Sequence, residues 1–295
     1  MTTTVHSPTA SRRRLRTLLR RARDASGLTQ ERVAEEMDWS LSKIIRIETG
    51  GVGISTSDLR QLLQLYAITD PGEVAYLVEL ARVGRQRPWW TRYRDVLPPG
   101  YLAYVGLEDE SSALRMVAPA GLPGLLQTED YANAIMDAAS WAVEVELRRR
   151  ATPEVAHDRV AVRMIRQREV LQRPDGPPEI TVILDEAVLW RQIGGPEVLR
   201  RQLRHLNALG KEPYMTIQVL PFRASMINIM GYFINLEFPD PADPDAVYVE
   251  APFEQSVLEG EEVARYRTAF ERLQEAALDE EASRDLIAHI ADQVN

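Results

Sequence analysis

The feature that most constrains the fold is a series of short helices in the first 87 residues, most of them opened by a residue that can cap the first turn. Two of these helices lie within LTQERVAEEMDWSLSKIIRIETG, residues 28–50. Thr29 and Ser40 are favourable N-caps, because their hydroxyl oxygens can accept hydrogen bonds from the free N–H groups of a first turn. Two short helices joined by a tight turn have the dimensions of a helix-turn-helix unit.

Helical patterns continue on both sides of this unit. Before it, apolar residues recur at three- and four-residue spacing up to Gly27, a helix-stop signal. After it, STSD (residues 55–58) is a capping box, and DPGE (residues 70–73) places proline at the first helical position. Residues 1–87 are therefore predicted to form an all-α domain.

The helix after Ser40 has two different faces. Ile44 and Ile47 lie on one face, whereas Ser42, Lys43 and Arg46 lie on another. The DNA major groove admits one helix, and an arginine there can donate to two acceptors of a guanine. We therefore predict DNA binding, and the alternative is a helical bundle with an ordinary solvated charged face. The base contacts predicted from this pattern involve Leu41 with a thymine methyl group, Ser42 with a base edge, and Arg46 with guanine.

Residues 28–50 resemble the phage-repressor-type (XRE, Cro-like) helix-turn-helix family. The resemblance implies that Gln30 contacts a phosphate, that Lys43 lies near the DNA backbone, and that Arg23 and Glu48 form a structural ion pair. The sequence departs from the family pattern at Leu41, where glutamine is frequent, so direct base readout is expected to be thinner. The predicted DNA-binding residues are Thr29, Gln30, Ser40, Leu41, Ser42, Lys43 and Arg46.

Three further segments carry a second resemblance. PWW with a following tyrosine, LEDESSALR and GLPGLLQTEDYA are similar to blocks of a large group of regulators from GC-rich bacteria. These regulators have a carboxy-terminal module of unknown function and are often described as antitoxin-like. Leu122 stands where the group usually has valine or isoleucine. The resemblance implies a transcription regulator, commonly encoded beside a very small partner protein.

The rest of the chain predicts a mixed domain. Four short runs rich in β-branched and aromatic residues, namely EITVIL, YMTIQVLPF, GYFINLEF and AVYVE, are typical of strands. Helical patterns lie between the first two runs and over residues 260–293. The predicted fold class is multidomain, with an all-α helix-turn-helix domain at residues 1–87. An aromatic and helical bridging region at 88–150 and an α+β regulatory domain (sensor or dimerisation) at 151–295 follow.

Two weaker features are candidates for a ligand or partner surface. Trp89, Trp90 and Tyr93 could clasp a ligand, although adjacent tryptophans after a proline more often form a hydrophobic seam. In GLPGLLQTED, Gln127 is the polar side chain most suited to such a contact, but a structural turn with unusual glycine dihedrals is favoured. Arginines along residues 153–172 indicate a solvated face, or alternatively a second nucleic-acid or dimer surface.

Composition narrows the classes of function. The absence of cysteine excludes disulfides and thiolate chemistry. Residues 1–94 hold 16 basic and 10 acidic side chains and the remainder 19 and 34, so a basic region that suits a polyanion precedes an acidic one. The arginine-rich amino terminus has no apolar segment behind it, and no run approaches the length of a membrane span. We therefore expect a cytoplasmic protein without contact to a membrane.

These observations predict a transcription regulator that binds double-stranded operator DNA as a homodimer and is modulated through its carboxy-terminal domain. The effector is either a small molecule or, in an antitoxin-like regulator, a small partner protein. No enzyme motif, metal-ligand spacing or cofactor fingerprint is present, so no enzyme activity, metal or cofactor is expected. An enzyme tethered to DNA is a further alternative. Activity that survives deletion of residues 1–87 would favour it.

Overall fold

Most helices of the amino-terminal region begin where the sequence supplies a cap. In this computed structural model, the described residues are 8–49, 52–86, 88–95, 97–146, 153–174, 176–225, 230–240, 243–251 and 254–294. Thr29, Ser40, Ser55 and Asp70 each accept a hydrogen bond from the backbone N–H three residues further on. Each cap satisfies one of the N–H groups that a helix leaves free at its start.

Five helices make up this region and enclose one apolar core. They are α1 (Pro8–Ala25), α2 (Gln30–Glu36), α3 (Leu41–Glu48), α4 (Thr56–Leu65) and α5 (Pro71–Gly84). Helix α1 packs against α3 and α5, α2 against α3, and α4 against α5. The most deeply buried core side chains include Leu19, Val33, Ile44, Leu59, Leu62 and Leu63.

The chain divides into two compact units. One comprises Met1–Thr91 with Asp240–Asp243, and the other comprises Arg92–Pro239 with Pro244–Asn295. The predicted boundaries after residues 87 and 150 fall at positions outside the described ranges, and the predicted three-part division stays a prediction.

The second unit is a six-stranded mixed sheet with helices. A 3₁₀ helix (Trp89–Tyr93) includes the first two residues of this unit, and a second one (Gly124–Leu126) lies within it. Its strands are β1 (Ala113–Ala118), β2 (Glu179–Asp185), β3 (Met215–Leu220), β4 (Tyr232–Glu237), β5 (Ala246–Ala251) and β6 (Glu254–Glu259). Its helices are α6 (Pro99–Glu108), α7 (Glu129–Glu146), α8 (Pro153–Leu171), α9 (Glu186–Trp190), α10 (Pro196–Leu209), α11 (Glu261–Ala276) and α12 (Glu280–Gln293).

The sheet has the order β3-β2-β1-β4-β5-β6. Strands β1, β2 and β3 are parallel, and β4, β5 and β6 continue the sheet in antiparallel pairs. Helix α11 contacts β1, β3, β4, β5 and β6, and α12 contacts β3 and α10. Val117, Phe233 and Val247 from three strands belong to the core cluster that includes Phe270 of α11.

Strand β1 corrects the expectation of a purely helical bridging region. It lies in the interior of the sheet between β2 and β4, with Leu114 and Met116 fully buried and Val117 also buried. A strand buried on both faces has no apolar–polar alternation, so the periodicity of a half-buried strand is missing. The predicted fold class, a multidomain chain with an all-α helix-turn-helix region followed by an α+β domain, is confirmed.

Candidate nucleic-acid interface

Helices α2 and α3 are joined by a four-residue turn, Met37–Ser40. Asp38 within it adopts a left-handed conformation with φ of 52°. This conformation is uncommon for residues other than glycine, although aspartate is enriched there. Ser40 then accepts a hydrogen bond from Lys43 N at 3.2 Å and starts α3. Thr29, exposed at the start of α2, accepts one from Arg32 N at 3.2 Å.

The inner faces of the two helices fix their packing. Val33 and Ala34 of α2, and Ile44 and Ile47 of α3, are buried in the core of the first unit. Burying such side chains is the main stabilising contribution to a helix too short to be stable alone. The orientation of α3 is therefore set by its apolar residues, and the opposite face is left to solvent.

The outer face of α3 combines polar donors with apolar groups. Ser42 and Arg46 are exposed, and Leu41 and Ile45 are 37% and 39% exposed. Arg46 Nε donates to the Ser42 carbonyl oxygen at 3.2 Å, which leaves the two terminal nitrogens of the guanidinium for other acceptors. A guanidinium with two free nitrogens can contact guanine O6 and N7, and the aliphatic groups can contact thymine methyl groups.

Lys43 lies beside this face but is engaged within the protein. Its ammonium group is 3.1 Å from Asp58 Oδ2 and 3.6 Å from the centre of the Trp39 ring. Asp58 stands in the first turn of α4. The ion pair is only partly exposed, so Lys43 must exchange or share its contact with Asp58 if it is to meet a phosphate.

Glu48 at the end of α3 accepts hydrogen bonds from two of the residues singled out in the sequence, Arg23 and Gln30. Its Oε1 accepts from Arg23 Nε at 2.6 Å, and its Oε2 accepts from Arg23 Nη2 at 3.3 Å and from Gln30 Nε2 at 2.7 Å. The hydrogen bond to Glu48 raises the pKa of Arg23 above its ordinary value. Arg23 also donates to the Leu28 carbonyl oxygen at 2.9 Å. Glu48 thus joins α1, α2 and α3.

Gln30 keeps donor capacity while it is held. An amide nitrogen carries two hydrogens, so one can donate to Glu48 and the other remains for an acceptor in solvent. The Gln30 side chain is partly exposed at the start of α2. Its position is fixed by Glu48, which lowers the entropy that would be lost when it contacts a phosphate.

Sequence reasoning missed three contributors to this surface. Asp58 was assigned only to a capping box, and Trp39 and Ile45 were given no role. Trp39 and Asp58 both hold the Lys43 ammonium group. No local pattern places Asp58 beside Lys43, because the two residues lie on different helices. Ile45 could have been found from the helical period, since it lies beside Leu41 one turn earlier.

Comparison with protein-family models adds two findings. Residues 14–77 match a model described as a helix-turn-helix domain, which covers α2, the turn and α3. Residues 101–289, more than half of the chain, match a domain of unknown function, DUF5753. The chain belongs to the DUF5753 family. Neither the search of curated proteins nor that of solved structures gave a match. The helix-turn-helix match points to DNA binding and to a regulator rather than an enzyme.

The predicted contact residue of the DUF5753 region, Gln127, does not lie on an open surface. It is 3% exposed, donates to the Leu122 carbonyl oxygen at 2.7 Å and accepts from Arg163 Nη1 at 2.5 Å. Both ends of the amide are thus occupied. The loop that contains Gln127 is held further by Gln167, which donates to the carbonyl oxygens of Gly124 and Gln127 at 2.7 and 2.8 Å.

The absence of a side chain at Gly124 in this loop has a different physical reason from the unusual backbone dihedrals that were predicted. Neither Gly121 nor Gly124 has a positive φ among the described residues. A Cβ at Gly124 would instead lie 3.1 Å from Arg166 Nη1 and 3.4 Å from Arg163 Nε. Gly124 therefore permits the close approach of two arginine side chains, which sequence spacing alone does not reveal.

The aromatic residues of the other weak prediction are partly enclosed. Trp90 is 5% exposed and Trp89 half-buried, and the two rings meet edge to face with centroids 5.6 Å apart. Tyr93 is half-buried, with the Arg92 guanidinium 4.7 Å from its ring centre. Trp90 is therefore not open to a ligand. No helix of the described ranges has the length and apolar character that a bilayer span requires.

Proposed function

We propose that this DUF5753 protein is a sequence-specific transcription regulator of the phage-repressor type, and that α3 enters the major groove of its operator. The observation that carries the proposal is the outer face of α3. There Ser42 and Arg46 are exposed together with Leu41 and Ile45, above an inner face fixed by Ile44 and Ile47. Hydrogen bonds to base edges and apolar contacts with thymine methyl groups each distinguish base pairs in that groove.

The phosphate contacts assigned to this regulator come from the ends of α2 and α3. Gln30 is positioned by Glu48 and keeps a hydrogen to donate. The hydroxyl groups of Thr29 and Ser40 are exposed at the two helix starts, where N–H groups and the helix dipole favour an anion. Lys43 contributes its charge after its contact with Asp58 is exchanged. These contacts set the register of α3 in the groove.

The proposed regulator binds as a homodimer in the cytoplasm. One helix-turn-helix unit covers only one half-site, and two units placed one helical turn apart supply the contacts of a full operator. The DUF5753 domain serves dimerisation or effector sensing. If a small partner protein is the effector, as in antitoxin-like regulators, it will co-purify with the full chain from its native host. A chain that purifies alone and responds to a metabolite favours the small-molecule version.

The test is selection of genomic DNA fragments by the purified full chain. We expect the bound fragments to share a sequence with two related half-sites, whereas Ser42→Ala/Arg46→Ala loses that enrichment. Arg82→Ala is the control. Arg82 is an exposed arginine of α5 that pairs with Glu79, so its replacement removes one positive charge, as the double variant does. Bound fragments without a common sequence, or equal enrichment by the double variant, would contradict the proposal.

A further inference from the structure

A polar pocket lies on the face of the sheet that α11 covers, wholly within the second unit. It has a volume of about 310 Å³. Seven of its lining residues carry charged or amide groups: Arg115, Asn235, Glu237, Asp245, Arg267, Glu271 and Gln274, the last of which donates to Gln218 Oε1 at 2.9 Å. They come from β1, from β4, from the residue before β5 and from α11. The predicted DNA-binding residues all lie in the other unit, so the pocket is separate from the candidate interface.

The sheet register places polar side chains where apolar ones would complete the core. Arg115 and Asn235 are directly paired across β1 and β4. On β1, Val117 lies two residues after Arg115 and on the same face. On β4, Phe233 lies two residues before Asn235, and both apolar residues belong to the core that α11 covers. Since alternate residues share a face, the apolar layer ends at the row of Arg115 and Asn235. The pocket lies at that end of the layer.

Asn235 is the residue that most needs an explanation. Its side chain is 5% exposed, and its Nδ2 donates to the Tyr266 carbonyl oxygen at 3.4 Å. Its Oδ1 is buried and has no hydrogen-bond partner among the described residues. A buried acceptor without a partner costs free energy, and native proteins contain few of them. Because this oxygen is buried, a donor group of a molecule bound in the pocket would satisfy it once the Asn235 side chain turns toward the pocket.

The guanidinium groups of Arg115 and Arg267 are held by hydrogen bonds, and each keeps N–H donors for a further acceptor. Arg115 donates to Thr181 Oγ1 at 2.7 Å, to Glu179 Oε1 at 2.5 Å and to Glu237 Oε1 at 3.3 Å. Arg267 Nη2 donates to Asp245 Oδ2 at 2.5 Å. A guanidinium carries five N–H donors in a fixed plane, so each arginine retains donors for a ligand carboxylate.

The acidic groups outnumber these two cations. Glu237 and Asp245 are paired with the arginines, whereas Glu271 forms no ion pair with any described residue. Among the lining residues, three carboxylates stand against two guanidinium groups, and Glu179, which also pairs with Arg115, adds a further negative charge. A ligand with one carboxylate and two cationic groups would reduce this excess of negative charge. A volume near the lower end of the range for ligand pockets limits such a ligand to a small metabolite.

We propose that this pocket binds a free α-amino acid and prefers basic side chains to acidic ones. Its α-carboxylate accepts hydrogen bonds from Arg115 and Arg267, and its α-ammonium group donates to Asn235 Oδ1. The cationic end of its side chain pairs with Glu271. The aliphatic part contacts Phe270 on the apolar wall of the pocket. Amide and charged groups that converge on one small cavity are the usual means of fixing such a ligand.

The test is isothermal titration of the full chain without DNA, with L-lysine, L-ornithine and L-arginine as probes. Cadaverine lacks the carboxylate, 6-aminohexanoate lacks the α-amino group, and L-glutamate has the wrong side-chain charge. We expect one of the basic amino acids to bind with one site per chain. The three comparison compounds should bind at least about tenfold more weakly, as expected when a charge-assisted hydrogen bond or ion pair is lost.

Two variants on the same helix locate the site. Arg267 is half exposed, so Arg267→Met removes the guanidinium but keeps an unbranched apolar stem and does not disturb the core. This variant should weaken binding roughly tenfold or more. Arg265→Met is the matched control, because Arg265 is exposed and pairs with Glu262 outside the pocket. Asn235→Leu should also abolish binding. Failure of all three basic amino acids to bind, or equal affinity of the two arginine variants, would overturn the proposal.

An effect of the amino acid on operator binding would rest on the proposed function, whereas the binding itself does not. Titration without DNA therefore separates the two ideas. If the amino acid binds and changes the operator affinity of the wild type but not of Arg267→Met, the pocket is the effector site. If it binds without changing operator affinity, the effector role is wrong and the binding site stands.

Discussion

Among single residues, Glu48 has the most consequential position in the helix-turn-helix region. It is 7% exposed and receives hydrogen bonds from Arg23 of α1 and from Gln30 of α2. The resemblance to repressor-type domains implied the pair with Arg23. The contact with Gln30 was not expected, because Gln30 was assigned to a phosphate. Glu48 therefore connects the stability of the domain with the placement of a predicted DNA contact.

Replacing Glu48 tests this connection. Glu48→Ala leaves the Arg23 guanidinium, whose side chain is 12% exposed, without its principal partner. Breaking a buried ion pair from one side costs roughly 3–5 kcal/mol, and we expect about 3 kcal/mol here because Arg23 keeps the Leu28 carbonyl oxygen and the exposed carboxylate of Asp24. Calorimetric unfolding of the full chain measures this loss.

The control for that measurement is Glu79→Ala. Glu79 pairs with Arg82 on the surface of α5, and an exposed pair of this kind contributes little to stability because water screens both charges. If Glu48→Ala destabilises the protein no more than Glu79→Ala does, Glu48 is not the junction described above.

Some contacts of individual residues could be predicted from the sequence and others could not. The N-caps Thr29 and Ser40 could be predicted because capping depends on residues three positions apart. The pair of Lys43 with Asp58 could not, since it depends on the packing of α3 against the start of α4. Gln127 was the candidate contact if the loop formed a ligand or partner surface, with a structural turn favoured, and its amide is enclosed by Arg163 and the Leu122 carbonyl oxygen.

At the level of elements, the predicted strands and the missed ones differ in composition. The runs that became β2, β3, β4 and β5 are rich in β-branched and aromatic residues. Strand β1 contains Arg115 within an apolar run, and β6 is an edge strand with glutamates at both ends. Edge strands tolerate charged residues, so β6 lacks the composition that identifies a strand.

In helix α8, the spacing of the charged residues also failed to predict which of them is buried. Its arginines indicated a solvated face, yet Arg166 is 3% exposed. Arg166 pairs with Glu108 of α6 and donates to the hydroxyl groups of Tyr101 and Tyr104, each at 2.6 Å. The position of the partner acid on another helix, not the spacing of the arginines, decides that Arg166 is buried.

We expect Glu108→Ala to be strongly destabilising. Glu108 is fully buried, and its loss leaves a buried guanidinium without a counter-charge, which costs roughly 3–5 kcal/mol. Chemical denaturation of the full chain measures the change. Glu197→Ala serves as the comparison, because Glu197 is an exposed partner of Arg200. Similar losses for the two variants would mean that the buried pair contributes no more than a surface pair.

Helix α10 provides a pH-dependent prediction. Burial lowers the pKa of His205 below its ordinary value of 6.5. Near and below that value the unfolded chain therefore binds more protons than the folded one, and stability falls as the pH falls. Between pH 7 and pH 5, the free energy of unfolding should decrease less for His205→Asn than for the wild type. The exposed His289 gives the control His289→Asn. An equal decrease for wild type and His205→Asn would contradict the assigned cause.

At the scale of the whole molecule, the distribution of charge supports the proposal that the amino-terminal region binds DNA. The excess of basic residues lies within residues 1–94, and the remainder has 34 acidic against 19 basic residues. A basic region attracts the DNA backbone, whereas an acidic one opposes binding to arbitrary DNA. Charge could be taken from the sequence directly. The amino-acid pocket could not, because it depends on the register of β1 against β4 and on the placement of α11.

The central claim is that α3 reads bases through Arg46. The most direct test measures the affinity of the full chain for its selected operator and for a singly mismatched operator across a salt series. Arg46→Ala should weaken binding to the matched operator by about 1–3 kcal/mol per half-site and reduce the difference between the two operators. Arg82→Ala should keep that difference. If Arg46→Ala instead weakens binding to both operators equally, Arg46 contacts the backbone and α3 is not placed in the groove as proposed.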